Sequence, residues 1–302
     1  MTHKQVAVIG FGALGRACAA AIQHDEQCRL AGVVRRPERV HEGVPPAFGD
    51  VAVVSHVREL GQVDVALVCV PTEQAGGVAH DLLQHGIAVV DCVNLHGDAM
   101  QQHKQMLDKV AVHHRSSAVV GAGWDPGALS LFREFFALLT PKGHTEIRHR
   151  SGIQLHHTIL AGEIPGLRDA VAMEQRDHDG HLQRYVYVEL DGNADPEQVT
   201  AAIRSDPLWA GEDVQVFPVD SIAALEDEDH GVIIERRGAA AGVEHQMLLL
   251  EARFSEAALS AQLMLAVTRL LPSPRHGAFS LLDIPPAALW GELQLQAEQT
   301  WL

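Results

Sequence analysis

The sequence predicts an α/β fold, with a doubly wound parallel sheet in the first 122 residues and a central α+β domain with a mixed sheet after them. The chain has 302 residues, which is long enough for two domains. Short apolar runs alternate with helix-forming stretches up to about residue 120, as in parallel strands joined by crossover helices. A glycine-rich turn separates the first apolar run from the first helix. Later strand-like stretches with a few helices against them indicate the mixed sheet.

The first strand, turn and helix form one recognisable unit. Val6–Ile9 is an apolar run of the kind that is buried on both faces of a sheet. Gly10 permits the tight turn that follows, Gly12 lets the backbone approach a diphosphate, and Gly15 lets helix and strand pack closely. The helix-forming stretch Arg16–Ile22 comes next, and its amino end would present N–H groups to the diphosphate. This context predicts a Rossmann dinucleotide-binding domain.

The end of the second predicted strand, Leu30–Val34, indicates which coenzyme is bound. Sites that prefer NAD usually carry Asp or Glu about 20 residues beyond the glycines, where it binds the ribose 2′-hydroxyl. Here Arg35 and Arg36 stand in that place. Because a guanidinium binds a 2′-phosphate through charge-assisted hydrogen bonds, the pair predicts NADP. The alternative is a solvated basic pair on a loop.

The rest of the first domain continues the alternation of strands and helices. Strands are predicted at Val51–Val54, Val63–Val70, Ile87–Val90 and Ala118–Val120, and helices at Gln74–His85 and through Met106. Ligands of such sheets lie beyond the carboxyl ends of the strands. The segments predicted to face the nicotinamide are therefore Cys69–Thr72, Asp91–His96 and Gly121–Gly127. The predicted coenzyme contacts are Gly10, Phe11, Gly12, Ala13, Leu14, Gly15, Arg35, Arg36, Cys69, Val70, Pro71 and Thr72.

The second part of the chain is predicted to place helices against a mixed sheet. Its predicted strands are Glu146–His149, Tyr185–Leu190, Val214–Val219, Val232–Glu235 and Met247–Ala252, and its predicted helices are Ala128–Leu139, Pro196–Arg204 and Glu256–Leu271. The acidic run Glu226–His230 is predicted to be a solvated loop.

Composition excludes several classes of partner and site. A net charge of −16 argues against nucleic acid, because affinity for it comes mainly from clustered Lys and Arg. The four cysteines lack C-x-x-C spacing, which favours buried free thiols over a disulfide framework or a zinc site. The 19 histidines show no metal-site pattern, and no metal is predicted. Without a secretory signal pattern or an apolar run of ~20 residues, we expect a cytoplasmic protein that does not bind membranes.

Five segments, in order along the chain, carry a resemblance to a known family. They are Val8–Gly15, the pair Arg35–Arg36, the sequence GWDPG at Gly123–Gly127, Ile164–Gly166 and Gly277–Leu282. In these pieces and their spacing the chain resembles meso-diaminopimelate dehydrogenase along nearly its whole length.

The resemblance implies both an architecture and an activity. The architecture is a dinucleotide-binding domain at 1–122, a domain for substrate binding and dimerisation at 123–276, and a segment at 277–302 that packs back on the first domain. The activity is NADP-dependent oxidative deamination at a D-configured amino acid centre. A homodimer and a role in lysine biosynthesis are implied as well.

The reacting centre is predicted to contain Asp125, Trp124 and Asn94. Hydride transfer from Cα requires a neutral amine, so a carboxylate that binds and orients the ammonium form is useful. Asp125 follows the carboxyl end of a strand in a Pro-Gly turn, and the alternative reading is a turn-capping Asp. Trp124 is predicted to exclude water beside the substrate or the nicotinamide, with an ordinary core residue as the alternative. Asn94 falls near the position where the resemblance implies a second acid.

The chain departs from the family pattern where the far end of the substrate would be held. The segment Leu155–Leu160 retains one His of the corresponding family motif but lacks the acid of that motif. Glu174 occupies the position of a family Thr, and Phe254 occupies the position of a family Asn. Arg184 is the predicted ligand of a distal carboxylate, which Glu174 would repel. We therefore hypothesise an amino acid or imine substrate other than meso-diaminopimelate. The predicted substrate contacts are Asp91, His157, Thr158, Glu174, Arg184, His230 and His245.

Three other functions remain as alternatives. A sugar-type oxidoreductase is disfavoured because such proteins usually carry Glu-Lys-Pro where this chain has Asp91–Val93. A redox sensor that binds NADP(H) without turnover fits the altered distal residues, but the retained Gly123–Gly127 argues against it. The third alternative is an imine reductase that makes a specialised amine, which would be distinguished by activity in the absence of free ammonia.

Overall fold

A computed structural model describes residues 3–151, 156–157, 164–176, 182–192, 194–205, 213–222 and 230–290. The chain divides into two compact units. The first unit combines Met1–Thr145, Arg236–Gln246 and Glu256–Leu302, and the second combines Glu146–Glu235 and Met247–Ser255. The three-part division that the sequence suggests, at residues 122 and 276, stays a prediction.

The elements confirm an α/β fold. The strands are β1 (Lys4–Ile9), β2 (Cys28–Val34), β3 (Val53–Val54), β4 (Val65–Val68), β5 (Ala88–Asp91), β6 (Ser117–Val119), β7 (Lys142–Ser151), β8 (His156–His157), β9 (Leu167–Arg176), β10 (Leu182–Leu190), β11 (Asp213–Val219), β12 (His230–Ala240), β13 (Val243–Phe254) and β14 (Gly277–Phe279). The helices are α1 (Ala13–Gln23), α2 (Thr72–Gln84), α3 (Gly97–His113), α4 (Leu129–Leu139), α5 (Pro196–Ser205), α6 (Glu256–Thr268) and α7 (Pro286–Trp290). Among the described residues, no helix is long and apolar enough to cross a membrane.

The first unit contains a seven-stranded sheet in the order β14-β6-β5-β4-β1-β2-β3, with every pair parallel. Both of its faces are covered. In β1, Val6 and Val8 enter a core cluster that includes residues of α1 and α6, whereas Ala7 and Ile9 enter a second cluster with residues of α2 and α3. Alternate residues of one strand therefore serve opposite cores, and the predicted doubly wound parallel sheet is confirmed.

Several element boundaries differ from the sequence prediction. β4 stops at Val68, short of the predicted Val70, where the chain leaves the sheet beside the glycine turn. α3 runs past Met106 to His113, because Leu107 and Ala111 continue the stripe of buried residues that faces the sheet. β9 and β14 are absent from the prediction. β9 mixes charged and apolar residues without clear alternation, and β14 has only three residues.

The second unit contains a four-stranded sheet in the order β11-β10-β9-β8. β10 pairs parallel with β11 and antiparallel with β9, so the predicted mixed sheet is confirmed. Val199 and Ile203 of α5 pack in one cluster with Ala170 of β9 and with Val186 and Val188 of β10. A further three-stranded sheet has the order β13-β12-β7.

We predict that Gly15→Ala destabilises the fold, because the new Cβ would lie 2.1 Å from the backbone oxygen of Gly10. Overpacking of this kind costs about 1–3 kcal/mol, measured as the free energy of unfolding in denaturant. Gly77→Ala is the matched control, since Gly77 lies inside α2 with no atom within 4 Å of the added Cβ. The control should gain up to ~1 kcal/mol from helix propensity. Equal stability of both variants would contradict the packing role of Gly15.

Candidate active site

Segments that are distant in sequence meet at one edge of the parallel sheet. β1, β4, β5 and β6 are consecutive neighbours, with Ile9 opposite Val68 and Val68 opposite Asp91. Because carboxyl ends of parallel strands lie at the same edge, the chain that follows each strand belongs to one site region. The segments at this edge are the glycine turn after β1, Cys69–Thr72, Cys92–His96 and Val120–Gly127.

The glycine turn has the geometry of an anion cradle. Gly10 has a φ of +94°, and its N–H donates to the carbonyl of Val34 at 2.9 Å. A Cβ at Gly10 would lie 2.6 Å from the carbonyl oxygen of Cys69, whereas a Cβ at Gly12 would meet nothing within 4 Å. Gly12 is the N-cap of α1, with no side-chain cap and no acid in the first turn. The helix start is therefore open to a diphosphate, and the residues present fit a dinucleotide coenzyme.

The two arginines after β2 differ in environment. Arg35 donates to the carbonyl oxygen of Gly43 at 2.7 Å and to the carboxylate of Glu42, and its guanidinium carbon lies 5.8 Å from the ring centroid of Phe11. The Arg36 side chain is 68% exposed, with Nε 3.8 Å from the carboxylate of Glu38. Arg35 is thus held in place beside the glycine turn, while Arg36 extends into solvent.

The thiols at this edge are neutral near neutral pH. Cys69 Sγ donates to Cys18 Sγ at 3.7 Å, and this hydrogen bond, together with burial, raises the pKa of Cys69 well above its ordinary value. Burial raises the pKa of Cys92 to about 12. All four cysteines are free thiols. Because only a thiolate is a strong nucleophile or metal ligand, Cys69 and Cys92 act as packing groups.

The buried side chain of Asp91 connects several segments of the site through hydrogen bonds. Its side chain is fully buried, and its Oδ2 lies 2.8 Å from Nε2 of His103 on α3. Its Oδ1 accepts hydrogen bonds from the N–H of Gly121 at 2.7 Å and of Val93 at 3.3 Å. Since both oxygens have internal partners, this geometry gives no support to the predicted substrate contact. It supports a structural role, in which Asp91 ties the segment after β6 to β5 and α3.

Helix α6 also holds the GWDPG segment in place, in addition to the contact between Asp91 and Gly121. The N–H of Trp124 donates to Oγ of Ser260 at 3.0 Å, and the Trp124 side chain is buried with its ring centroid 6.1 Å from that of Phe132. A Cβ at Gly123 would lie 2.1 Å from Sγ of Cys92, so the segment and the loop after β5 are in close contact. Sequence reasoning missed Ser260, because nothing in the sequence links it to a residue 136 positions earlier.

The structure brings Asn94 and Asp125 together around His96. Oδ2 of Asp125 lies 3.6 Å from Nε2 of His96, and Oδ1 of Asn94 lies 2.9 Å from the same nitrogen. The Asp125 side chain is only 16% exposed, whereas that of His96 is 52% exposed. Within the described part of the chain, no group hydrogen-bonds to the buried Oδ1 of Asp125. The site therefore holds a carboxylate oxygen that is withdrawn from solvent and has no hydrogen-bond partner among the described residues.

The other predicted substrate contacts that the structure describes lie on the strands from β8 to β13. Glu174 of β9 and Arg184 of β10 stand directly opposite each other in the antiparallel register. His157 lies in β8, and His230 begins β12. His245 has a φ of +62° near the start of β13, and its side chain is 94% exposed. Thr158 lies outside the described residues, and substrate contacts by these residues stay predictions.

No metal site accompanies this cluster. Among the residues that the structure describes, no group of three or more His, Cys, Asp or Glu side chains is placed to hold a metal ion.

Comparisons with known proteins agree with this geometry. Residues 4–91 match an oxidoreductase family with an NAD-binding Rossmann fold. A meso-diaminopimelate D-dehydrogenase from Bacteroides fragilis is 32% identical over 285 residues, covering 94% of each chain. The structure of C. glutamicum DAP dehydrogenase in complex with DAP has a TM-score of 0.63 at 23% identity, with 100% of both chains covered. An engineered D-amino acid dehydrogenase bound to NADP+ has a TM-score of 0.61 at 22% identity, again over 100% of both chains.

The Bacteroides fragilis enzyme matches nearly the whole chain, and the two solved structures have the same fold as this chain. The chain therefore belongs to the meso-diaminopimelate D-dehydrogenase family of amino-acid-dehydrogenase-like oxidoreductases.

Proposed function

We propose that the protein catalyses NADP-dependent oxidative deamination at a D-configured amino acid centre, and the reverse reductive amination. The observation that carries the proposal is the carboxylate of Asp125, which is mostly buried, has one oxygen without a partner among the described residues, and follows a strand at the same sheet edge as the glycine turn. Such an oxygen suits the ammonium group of an amino acid. Membership of an amino acid dehydrogenase family supports the same chemistry.

Each residue of the site has a separate part in the reaction. When bound, the coenzyme supplies the hydride acceptor. Asp125 binds the substrate ammonium and orients the carbon that carries it. The buried ring of Trp124 excludes water beside that carbon, and the Ser260 hydroxyl keeps the Trp124 backbone in place. Because these groups are positioned before a ligand arrives, little reorganisation is needed when charge changes during the reaction.

The coenzyme is proposed to be NADP. Arg35, Arg36 and Arg39 lie around two acids, Glu38 and Glu42, which leaves a net positive charge beside the glycine turn. No acid stands at the end of β2, where NAD-preferring sites usually carry one. A 2′-phosphate would therefore meet three guanidinium groups against two carboxylates, with no acid at the end of β2 itself.

We propose that the substrate differs from meso-diaminopimelate at its far end. The support is the pairing of Arg184, the predicted carboxylate ligand, with Glu174 directly opposite it in the backbone register. A carboxylate at that position disfavours a second carboxylate and favours an amine or amide.

We also propose a homodimer, which light scattering would test as a mass twice that of the 32.7 kDa chain. The support is an exposed apolar face on α4, where Leu138 is 74% exposed and Phe135 is 57% exposed. Large apolar side chains left open to water are typical of a surface covered by a partner.

We predict that replacing Arg35 and Arg36 together by Ser weakens NADP binding and leaves NAD binding almost unchanged. Each lost charge-assisted hydrogen bond costs about 1.5–3 kcal/mol, so the affinity ratio of NADP to NAD should fall at least tenfold in calorimetric titrations. Arg29→Ser is the matched control, because Arg29 lies near the amino end of β2, whereas Arg35 and Arg36 follow its carboxyl end. An unchanged ratio in the double variant would show that another group selects the coenzyme.

We predict that the unmodified protein reduces NADP+ with at least one member of a panel, and that Asp125→Asn slows this turnover by about 10²–10⁴-fold. The panel is meso-diaminopimelate, D-lysine, D-ornithine and neutral D-amino acids, followed by absorbance of the reduced nicotinamide. Asp98→Asn is the control, since it removes an exposed charge from the first turn of α3 near the same edge.

Each outcome of the panel has a distinct meaning. Turnover of D-lysine or D-ornithine in preference to meso-diaminopimelate would support the altered distal pocket. A preference for meso-diaminopimelate would contradict that part of the proposal, and full activity in Asp125→Asn would contradict the role of Asp125.

A further inference from the structure

Asn94, His96 and Asp125 form a chain of three polar groups that runs from the interior of the site to solvent. Asp125 is 16% exposed and His96 is 52% exposed, so the carboxylate is largely withdrawn from water while the imidazole is open to it. His96 Nε2 lies 3.6 Å from Asp125 Oδ2 and 2.9 Å from Asn94 Oδ1. The described structure gives Asp125 no other hydrogen-bonding or ion-pair partner. His96 therefore stands between the buried acid and bulk water.

Deamination requires a path for a proton at this place. An amino acid binds to a carboxylate as its ammonium ion, but only a neutral amine has the electron pair that forms the C=N bond. One proton must therefore leave the bound ammonium and reach solvent in every turnover. Of the three groups, an amide does not exchange protons in this way, whereas imidazole is the side chain best suited to doing so near neutral pH.

We propose that His96 relays the substrate's ammonium proton from Asp125 to solvent, an inference that rests on the proposed function. In the forward direction an N–H bond of the ammonium breaks and its electron pair stays on nitrogen. The proton passes to Asp125 and from Asp125 to Nε2 of the imidazole in its Nδ1–H tautomer, in which Nε2 has a free electron pair, and the ring is then imidazolium beside a carboxylate. The imidazolium releases its Nδ1 proton to bulk water, which leaves the Nε2–H tautomer, and exchange of ring protons with water restores the starting tautomer and charge.

The distance is compatible with this role. A separation of 3.6 Å is longer than a hydrogen bond, so the transfer needs a small side-chain shift or one bridging water. Hydrogen bonds in catalytic sites are often long without substrate and shorten when it binds. Because His96 follows β5 in a short loop and immediately precedes α3, its backbone is held by elements on both sides.

Asn94 is a positioning residue for the ring. Its amide oxygen accepts from Nε2–H in the orientation described, and a half-turn of the amide presents a donor to the same nitrogen after the proton has left. An amide therefore suits an imidazole that alternates between two protonation states. The family resemblance implies an acid in this place, and a carboxylate would have no donor to offer.

The test is His96→Gln, assayed on the panel member that the unmodified protein turns over fastest, with and without added imidazole. We expect kcat to fall by about 10²–10⁴-fold, while the affinity for reduced coenzyme, measured by fluorescence, stays the same. Added imidazole should restore a large part of the rate in a saturable way, because the vacated position is open to solvent. Asn94→Ala should lose less activity and gain nothing from imidazole, since its ring is still present.

The control is His56→Gln, because the pair His56–Asp81 has the same 3.6 Å separation and a similar exposure of 47% on the His side. It should keep its full rate and show no response to imidazole. A fall in kcat of His96→Gln without rescue would overturn the relay, because it would show a merely structural role. Undiminished kcat in His96→Gln would overturn it as well. Absence of turnover by the unmodified protein on every panel member would instead overturn the proposed function, and the relay with it.

Discussion

The buried carboxylate of Asp91 is the interaction on which the candidate site depends. It lies at the carboxyl end of β5 and bonds to the N–H of Gly121, the ring of His103 and the N–H of Val93. These side-chain contacts add to the backbone pairing of β5 with β6 and tie β5, α3 and the segment after β6 together at one point. A buried carboxylate is costly without such partners, so its presence here defines one arrangement of the loop that carries Trp124 and Asp125.

The rest of the site follows from that anchor and from the parallel sheet. The sheet brings the glycine turn, Thr72, the loop after β5 and the GWDPG segment to one edge. Asp91 and Ser260 then hold the GWDPG segment from two directions, which leaves the Asp125 side chain as the group that has an unused oxygen. Asp91, at the end of β5, and Asp125, in the segment after β6, differ in their hydrogen-bond partners. Both oxygens of Asp91 have partners inside the protein, whereas Oδ1 of Asp125 has none among the described residues.

The sequence predicted the parts of this arrangement that depend on short-range pattern. The strand, glycine turn and helix at Val6–Ile22 could be predicted from local sequence, because Gly10 and Gly15 stand where a Cβ would meet backbone atoms. The alternation of apolar runs predicted the parallel sheet, which in turn predicted the edge at which Asn94 and Asp125 lie. The mixed sheet of the second unit was predicted as a class, although β9 was missed because its apolar spacing is weak.

The remainder depends on contacts that no local pattern encodes. Arg35 and Arg36 are equivalent candidates by sequence, yet Arg35 is bonded to Glu42 and Gly43 whereas Arg36 extends into solvent. Asp91 was assigned to the substrate from its position after a strand, because its pairing with His103 is visible only once α3 is packed against β5. Ser260 and His96 were given no role for the same reason. Their significance arises from tertiary contacts with Trp124 and Asp125.

The most direct test of this account is hydrogen exchange of the Gly121–Gly127 backbone in Asp91→Ala and Asp91→Asn, without any ligand. The Ala variant removes the acceptor of the Gly121 N–H, so exchange in this segment should be at least tenfold faster than in the unmodified protein, while β1 and β4 stay protected. The Asn variant keeps an oxygen in the same place and should retain most of the protection. Unchanged exchange in Asp91→Ala would contradict the account, because it would show that the loop is held without the carboxylate.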